Sequence, residues 1–372
     1  MRKLSVLFIS SVAALAIGRA AAQDIVVAVA GPMSGGEAAF GEQFKRGAEL
    51  AVKQINEAGG VLNRKLKLEI ADDACEPKQA VPVATSLVQK RAVFVAGHYC
   101  SGVSIPASAV YAENNIMQIT PAATNPRLTD EAKAKGWKTV ARTCGRDDMQ
   151  GVVAGKFLAA QYRGKKIAIL HDKSPYGQGI ADETRKNLNK AGQTEALYDS
   201  FQKGDKDFTA LISKMKAMGI DVVYVGSYHN EVGLMVKQSR EQGFKAQFVS
   251  EDAIVTDELW KVSGPAAEGM LMTFAPDPTA NPSARRVVDA FKKESYNPEG
   301  YTLYAYAAFQ VWAAAAKAAG STDAQKVAAQ IHGKSFDTVV GKLQYDDKGD
   351  VSNSQYVWYV WGKDGKYSQV KQ

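Results

Sequence analysis

The sequence predicts an α/β fold made of two doubly wound lobes, and three observations predict it. Short apolar runs alternate with helical patterns from Gln23 onward. The alternation pauses at Thr143-Cys144-Gly145-Arg146 and then begins again. Several of the apolar runs stop abruptly in small or hydroxyl residues, as strands do when their carboxyl ends border a crevice. Right-handed crossovers turn such a series into a parallel sheet covered by helices on both faces. With 372 residues, the chain is long enough for two domains of ordinary size.

In the first half, Ile25 to Ala30 reads as a strand. Phe44, Ala48, Ala51, Val52 and Ile55 then fall on one face of a helix, which Gly59-Gly60 ends. Leu66 to Ala71 is the second strand, followed by a helix opening at Pro77 that Pro82 is expected to kink. Val93 to Ala96 runs into Gly97-His98-Tyr99-Cys100-Ser101, and Ile116 to Ile119 runs into Thr120-Pro121-Ala122-Ala123-Thr124. A helix around Ile105 to Asn114 separates these two strands.

The second half opens with a helix carrying Met149, Val152, Val153 and Phe157, then a strand from Lys166 to His171. Ser174 caps the next helix, with Pro175 at its first position. Phe208, Leu211, Ile212, Met215 and Met218 mark a further amphipathic helix stopped by Gly219, and Val222 to Val225 and Gln247 to Val249 are strands. Beyond Leu271 a loop punctuated by Pro276, Pro278 and Pro282 leads to two helices. The second, Tyr301 to Ala319, is apolar nearly all round and so is expected to be buried. The end reads as antiparallel β: Gly341 to Tyr345, a turn at Asp347-Lys348-Gly349-Asp350, then Gln355 to Trp361.

The first residues read as a targeting segment. Arg2 and Lys3 precede an apolar run from Leu4 to Ile17, and Ala20-Ala21-Ala22 forms an A-x-A cleavage site, which predicts an exported protein cut after Ala22. The competing reading, a retained anchor, requires a longer apolar run than this one. Removal of Arg2, Lys3 and Arg19 lowers the formal charge from +7 to +4. The remaining lysines are dispersed with no basic stripe interleaved with aromatics, which argues against nucleic acid.

Three cysteines in an exported chain predict one disulfide and one free thiol. Cys75 and Cys100 both follow strand-like runs and should lie at one edge of one sheet, so they are paired. The bridge would contribute roughly 3 kcal/mol. Cys144 is left free. The cysteines and the four histidines, His98, His171, His229 and His332, show no clustered ligand spacing, so no metal is expected. No G-x-G-x-x-G, G-x-S-x-G or Walker sequence is present, so no cofactor is expected.

The strand ends supply the candidate site: Ser101, Ala122 and Thr124 from the first half, Tyr228 and Asp252 from the second. Ser101 borders a helix start, where a hydroxyl, free N–H groups and the helix dipole suit a small carboxylate. Asp252 suits an ammonium group. An isolated Ser or Thr is commonly just a helix cap, and an isolated Asp a turn residue. Two hydroxyls at the ends of neighbouring strands favour a polar small-molecule cleft.

Asp72-Asp73-Ala74-Cys75-Glu76-Pro77-Lys78-Gln79-Ala80, Gly97-His98-Tyr99-Cys100-Ser101, Ile119-Thr120-Pro121-Ala122-Ala123-Thr124, His171-Asp172-Lys173 with Tyr176-Gly177, and Asp346-Asp347-Lys348-Gly349-Asp350 carry a family resemblance. In this order and over essentially all the mature chain, the sequence resembles the periplasmic leucine/isoleucine/valine-binding proteins, type I solute-binding proteins of ABC importers.

The resemblance implies two lobes joined by three crossings: residues 23–143 with 273–350, and 144–272 with 351–372. Ligand would be held between them. It implies that Ser101 and Thr124 take an amino acid's carboxylate, and that the Ala122 carbonyl, the Thr124 hydroxyl and Asp252 take its ammonium. Ala123 sits within the same turn. Tyr176 and Tyr228 would close from the second lobe, and Cys75–Cys100 would be the family disulfide. Phe40, Tyr99 and Tyr301 would line the ligand's side chain.

The chain departs from the family's leucine binder at these positions. Phe40 stands where that binder has Tyr, Tyr99 where it has Leu, Asp252 where it has Glu, and Tyr301 where it has Phe. Tyr99 would shrink the side-chain pocket, leaving open branched-chain amino acids and smaller or ω-amino acids such as alanine, proline or γ-aminobutyrate. The implied protein is a periplasmic monomer, not an enzyme, that binds a free amino acid and delivers it to an inner-membrane ABC permease. The same complex could instead report to a membrane receptor. A makeshift Ser101–His98 enzyme is the remaining class. The export signal and the lack of an N-terminal helix-turn-helix exclude a sugar- or purine-responsive repressor.

Overall fold

The computed structural model describes residues 23–370; the leader and its cleavage after Ala22 lie outside the described residues. The first half runs β1 (Ile25–Gly31), α1 (Ala38–Glu57), β2 (Leu66–Asp72), α2 (Ala80–Gln89), β3 (Phe94–Ala96), α3 (Ser101–Glu113), β4 (Met117–Thr120), α4 (Arg127–Ala134) and β5 (Val140–Arg142). Its strands form a parallel sheet in the order β2-β1-β3-β4-β5. Pro82 does not kink α2. It stands in the helix's first turn, where its missing N–H would have had no partner anyway.

The second half continues with α5 (Asp147–Gln161), β6 (Ile167–His171), α6 (Pro175–Lys190), β7 (Leu197–Ser200), α7 (Thr209–Met218), β8 (Val222–Gly226), α8 (His229–Glu241), β9 (Gln247–Ser250), α9 (Glu258–Ser263) and β10 (Leu271–Phe274). Gly219 ends α7 in the left-handed conformation, and the Ser174 hydroxyl caps α6 by accepting from the Gly177 N–H. Then follow α10 (Arg285–Lys293), α11 (Thr302–Ala319), α12 (Ala324–Ala328), β11 (Ser335–Thr338), β12 (Gly341–Gln344), β13 (Val357–Trp361) and β14 (Tyr367–Gln369).

The second sheet runs β14-β13-β10-β9-β8-β6-β7, parallel from β10 to β7 and antiparallel at its far edge. The chain therefore passes to this sheet after β5, leaves it after β10 and returns at β13. Phe274 pairs with Val357, so the second passage falls beyond it. The expected terminal hairpin is divided between partners: β12 pairs with β11, whereas β13 joins the second sheet.

The apolar helix α11 is buried as expected and packs on α1 in the first half. In α5 the expected face is the wrong one. Gln150, Gly151, Ala154, Gly155 and Leu158 are buried, whereas Met149, Val152, Val153 and Phe157 lie at the rim. A Cβ on Gly155 would stand 2.6 Å from the Leu188 backbone nitrogen, so the small face lets α5 lie directly on α6. Among the described residues, no helix is long and apolar enough to cross a membrane.

Candidate functional site

Two turns of the first lobe are pinned together by Thr120. Its hydroxyl donates to the His98 carbonyl (2.7 Å) and accepts from the Ala122 and Ala123 N–H groups (3.2 and 2.9 Å). Asn125 N–H donates to Ser101 Oγ (3.3 Å), which brings the start of α3 beside the Thr124 turn. The first turn of α3 has N–H groups without intrahelical partners. Thr124 Oγ1 is buried and has no hydrogen-bond partner. His98 is structural: Nδ1 meets Asp73 Oδ2 at 2.6 Å and Nε2 meets the Tyr111 hydroxyl at 2.9 Å.

The disulfide Cys75–Cys100 joins the ends of β2 and β3 with a Cα separation of 5.5 Å, and Cys144 is free and buried.

From the second lobe, Tyr176 comes from the first turn of α6, Tyr228 caps α8, and Asp252 follows β9. The Tyr176 hydroxyl donates to Asp252 Oδ1 (2.6 Å), and the hydroxyl of Tyr301, just before α11, donates to Oδ2. The acid at Asp252 is thus held by one tyrosine from each lobe. Tyr99, Ala122, Tyr176, Tyr228, Asp252, Ala253 and Tyr301 line a nearly closed cavity of about 10 Å³ between the lobes.

The other predicted residues stand behind this lining. Phe40 stacks on Tyr99 with ring centroids 4.4 Å apart. Ala123 turns into the first lobe, where its carbonyl accepts from Arg142 Nη1 (2.8 Å). Ser101 and Thr124 sit in the adjoining turns.

Burial raises the Asp252 carboxyl above its ordinary range, while the two tyrosine hydroxyls pull it back. The neighbouring Glu251, which accepts from the N–H groups of Ser227 (2.9 Å) and Ala253 (3.0 Å), is likewise raised by burial and by Asp252. The structure adds one residue that the sequence did not single out. Asp147, at the start of α5, is fully buried with both carboxylate oxygens unpartnered. Burial pushes it well above the carboxylate range; Thr124 and Arg142 oppose this, and Asp252 adds to it.

Its sequence signal was weak. Asp147-Asp148 reads as an ordinary acidic first turn, and only the helix register separates the buried acid from Asp148, which pairs with Arg146. Among the described residues, no group of His, Cys, Asp or Glu is placed to hold a metal ion.

A closed interlobe site with hydroxyls on one wall and buried acids on the other suits a small zwitterion, and the family comparison agrees with that chemistry. The family of periplasmic binding proteins matches residues 24–366. The chain belongs to this family. Over its full length it is 48% identical to the whole of Leu/Ile/Val-binding protein homolog 1 of Brucella suis biovar 1. It is 42% identical to the leucine-, isoleucine-, valine-, threonine- and alanine-binding protein of Pseudomonas aeruginosa, covering 100% of this chain and 99% of that one.

Among solved structures, it is similar to the substrate-binding protein LivJ of a branched-chain amino acid transporter from Streptococcus pneumoniae, in complex with isoleucine. That similarity has a TM-score of 0.82 and 27% identity, covering 94% of this chain and 100% of that one. The two-lobed type I architecture and a solute-binding, non-enzymatic role follow. As a periplasmic binding protein, the chain works in the periplasm.

Proposed function

We propose that this protein binds a free amino acid between its lobes and delivers it to an inner-membrane ABC permease. The observation that carries the reading is the Asp252 clasp, which sits beside the unpartnered Thr124 Oγ1 and Asp147. A buried polar atom without a partner is costly, and a zwitterion placed here would supply partners of both kinds. Ser101 and Thr124 take the carboxylate. Asp252 takes the ammonium with the Ala122 carbonyl and the Thr124 hydroxyl, and Asp147 acts as a second acid. Tyr176 and Tyr228 close from the lobe of residues 144–272 and 351–372 onto the lobe of residues 23–143 and 273–350.

The Phe40–Tyr99 stack limits the side chain the cavity accepts. Ligand contacts from both lobes favour the closed monomer, the form the permease recognises. The names of the relatives support a neutral aliphatic ligand. Calorimetric titration with L-leucine, L-alanine and γ-aminobutyrate tests the reading. Binding of at least one to wild type is expected, with its loss in Asp252→Ala; undiminished affinity in that variant would overturn the assignment. A sensor role makes the same complex. Uptake of labelled ligand by a deletion strain distinguishes the two, since only a transport component lowers it.

A further inference from the structure

We infer that closing of the lobes is coupled to proton uptake at two carboxylates that meet acids across the gap, Glu231 opposite Glu37 and Glu299 opposite Asp257. The inference rests on the lobe closure proposed above and goes beyond it, because neither Glu231 nor Glu299 lines the ligand cavity.

Glu231 lies in the first turn of α8, three residues after Tyr228, and is only 4% exposed. Its Oε1 accepts from the Gly204 N–H (2.7 Å), and its Oε2 is buried without a partner. Glu37 of the first lobe, just before α1, lines the same interlobe cleft as Glu231, with its Oε2 3.2 Å from Nδ1 of His229. The loops after β6 and β7 bring Asp172 and Lys203 to the same gap. The Lys203 ammonium lies 4.7 Å from the Tyr228 ring centroid and donates to the Cys75 carbonyl of the first lobe (3.3 Å). Asn230 Nδ2 crosses to the Gly36 carbonyl (2.7 Å), so these elements are in direct contact across the lobes.

At the other wall, Glu299 lies two residues before Tyr301. It accepts from the Asp257 N–H and Thr256 Oγ1 of the second lobe, both at 3.2 Å, and from Gln43 Nε2 of α1 at 3.4 Å. The groups around it are the Asp257 carboxylate, Tyr296, Tyr367, Lys261 and Lys366.

Both sites therefore set two acids together where the lobes meet: Glu231 and Glu37 are buried at the edge of the interlobe cleft, and half-buried Glu299 adjoins the exposed Asp257. A proton removes one of the two charges. Burial, then the facing acid, pushes Glu231 up to about 7 and Glu299 up to about 7. With the lobes apart, each side chain is hydrated and ionised at neutral pH. A raised carboxylate holds its proton in the closed state alone, so closure is favoured at low pH and weakens as pH rises through 7. Between pH 8 and pH 6, each acid strengthens ligand binding by as much as about tenfold.

The test is titration of the mature protein with L-leucine, L-alanine and γ-aminobutyrate, in phosphate and in Tris at pH 7. The two buffers differ widely in ionisation heat, so the difference in binding heat counts protons exchanged. The quantity read is wild type minus the Glu231→Gln/Glu299→Gln double variant, which cancels any proton moved at Asp252 or Asp147. An excess uptake of about one proton per ligand in wild type is expected, about half of it removed by each single variant. No difference, or a difference of opposite sign, overturns the inference while leaving amino-acid binding intact.

If none of the three ligands binds, the functional reading fails instead. Small-angle scattering of the ligand-free protein then decides the inference. Compaction from pH 8 to pH 6 in wild type and not in the double variant supports it, and equal profiles overturn it.

Discussion

Two buried charge clusters lie close together in this molecule, and their opposite accounting separates architecture from function. At the passage from the first lobe to the second, Asp350 meets Arg142 Nε at 2.8 Å and Arg146 Nη1 at 2.6 Å, and the Thr129 hydroxyl donates to it at 2.8 Å. Arg146 also holds Asp130 and Asp148, and Lys348 closes the network on Asp130 and Asp350. Burial alone would raise Asp350, but the two guanidiniums hold its carboxyl below the usual range. A few residues away, Asp147 has neither an ion pair nor a hydrogen bond to its carboxylate, and burial carries it the other way. The first cluster satisfies its charges internally and fastens the crossings. The second leaves charge to be met by something that enters the cleft.

The largest expected effect breaks the satisfied cluster. Asp350→Ala leaves two buried guanidiniums without their shared carboxylate, and should lower stability by about 3–5 kcal/mol in urea denaturation. A loss below about 1 kcal/mol would mean the crossings are held by backbone packing and not by this network.

Next comes the cleft. Asp252→Asn keeps a group that can bond both tyrosines but removes the charge for an ammonium, so affinity should fall by about a hundredfold or more, near 3 kcal/mol. Ligand-free stability at pH 7 should not fall, since the carboxylate is raised in the folded state. Loss of stability together with affinity would place Asp252 with the architectural acids.

How far each cluster could be read from the sequence follows from the range of its contacts. Strand and helix order, the Ser174 cap, the Gly219 stop and the burial of α11 depend on neighbours in the chain, and the pattern of apolar and turn residues showed them. The α5 face could not be seen that way. Gly151 and Gly155 carry no hydrophobic signal, yet they decide which side lies against α6. The split of the terminal strands depends on pairing between distant segments.

The same holds for the site. Ser101, Thr124 and Asp252 were visible as strand-end residues. The two-tyrosine clasp on Asp252 and the bonds from Arg142 and Arg146 to Asp350 join residues far apart in the chain. Asp147 looked like any acid in a helix's first turn.

A smaller effect contrasts the clusters by pH. An acid with a depressed folded pKa contributes stability above its unfolded value, and that contribution is lost as pH falls through the folded one. A raised acid does the opposite, with stability lost as pH rises. Asp350→Asn should therefore be less stable than wild type above about pH 4, the gap closing in acid. Ligand-free Asp147→Asn should be more stable than wild type above about pH 4 and indistinguishable below it. Thermal melts from pH 3 to pH 8 measure both, and profiles of the same sign would erase the distinction.

The smallest effect concerns Cys144, which lies in the chain between Arg142 of the paired cluster and Asp147 of the unpaired one. Burial pushes its thiol up to about 12; Arg142 draws it down, and Asp252 and Asp147 add to the rise. If burial dominates, the thiol stays protonated whichever cluster is altered, and reagents that need the thiolate find none. The folded protein should therefore show no titratable thiol at pH 8, in wild type and in Asp252→Asn alike. Denaturation without reductant should release one thiol, with Cys75 and Cys100 bonded to each other. Reaction in the folded variant but not in wild type would show that the cleft charges, and not burial, govern this cysteine. The boundary between the clusters would then be electrostatic and not steric.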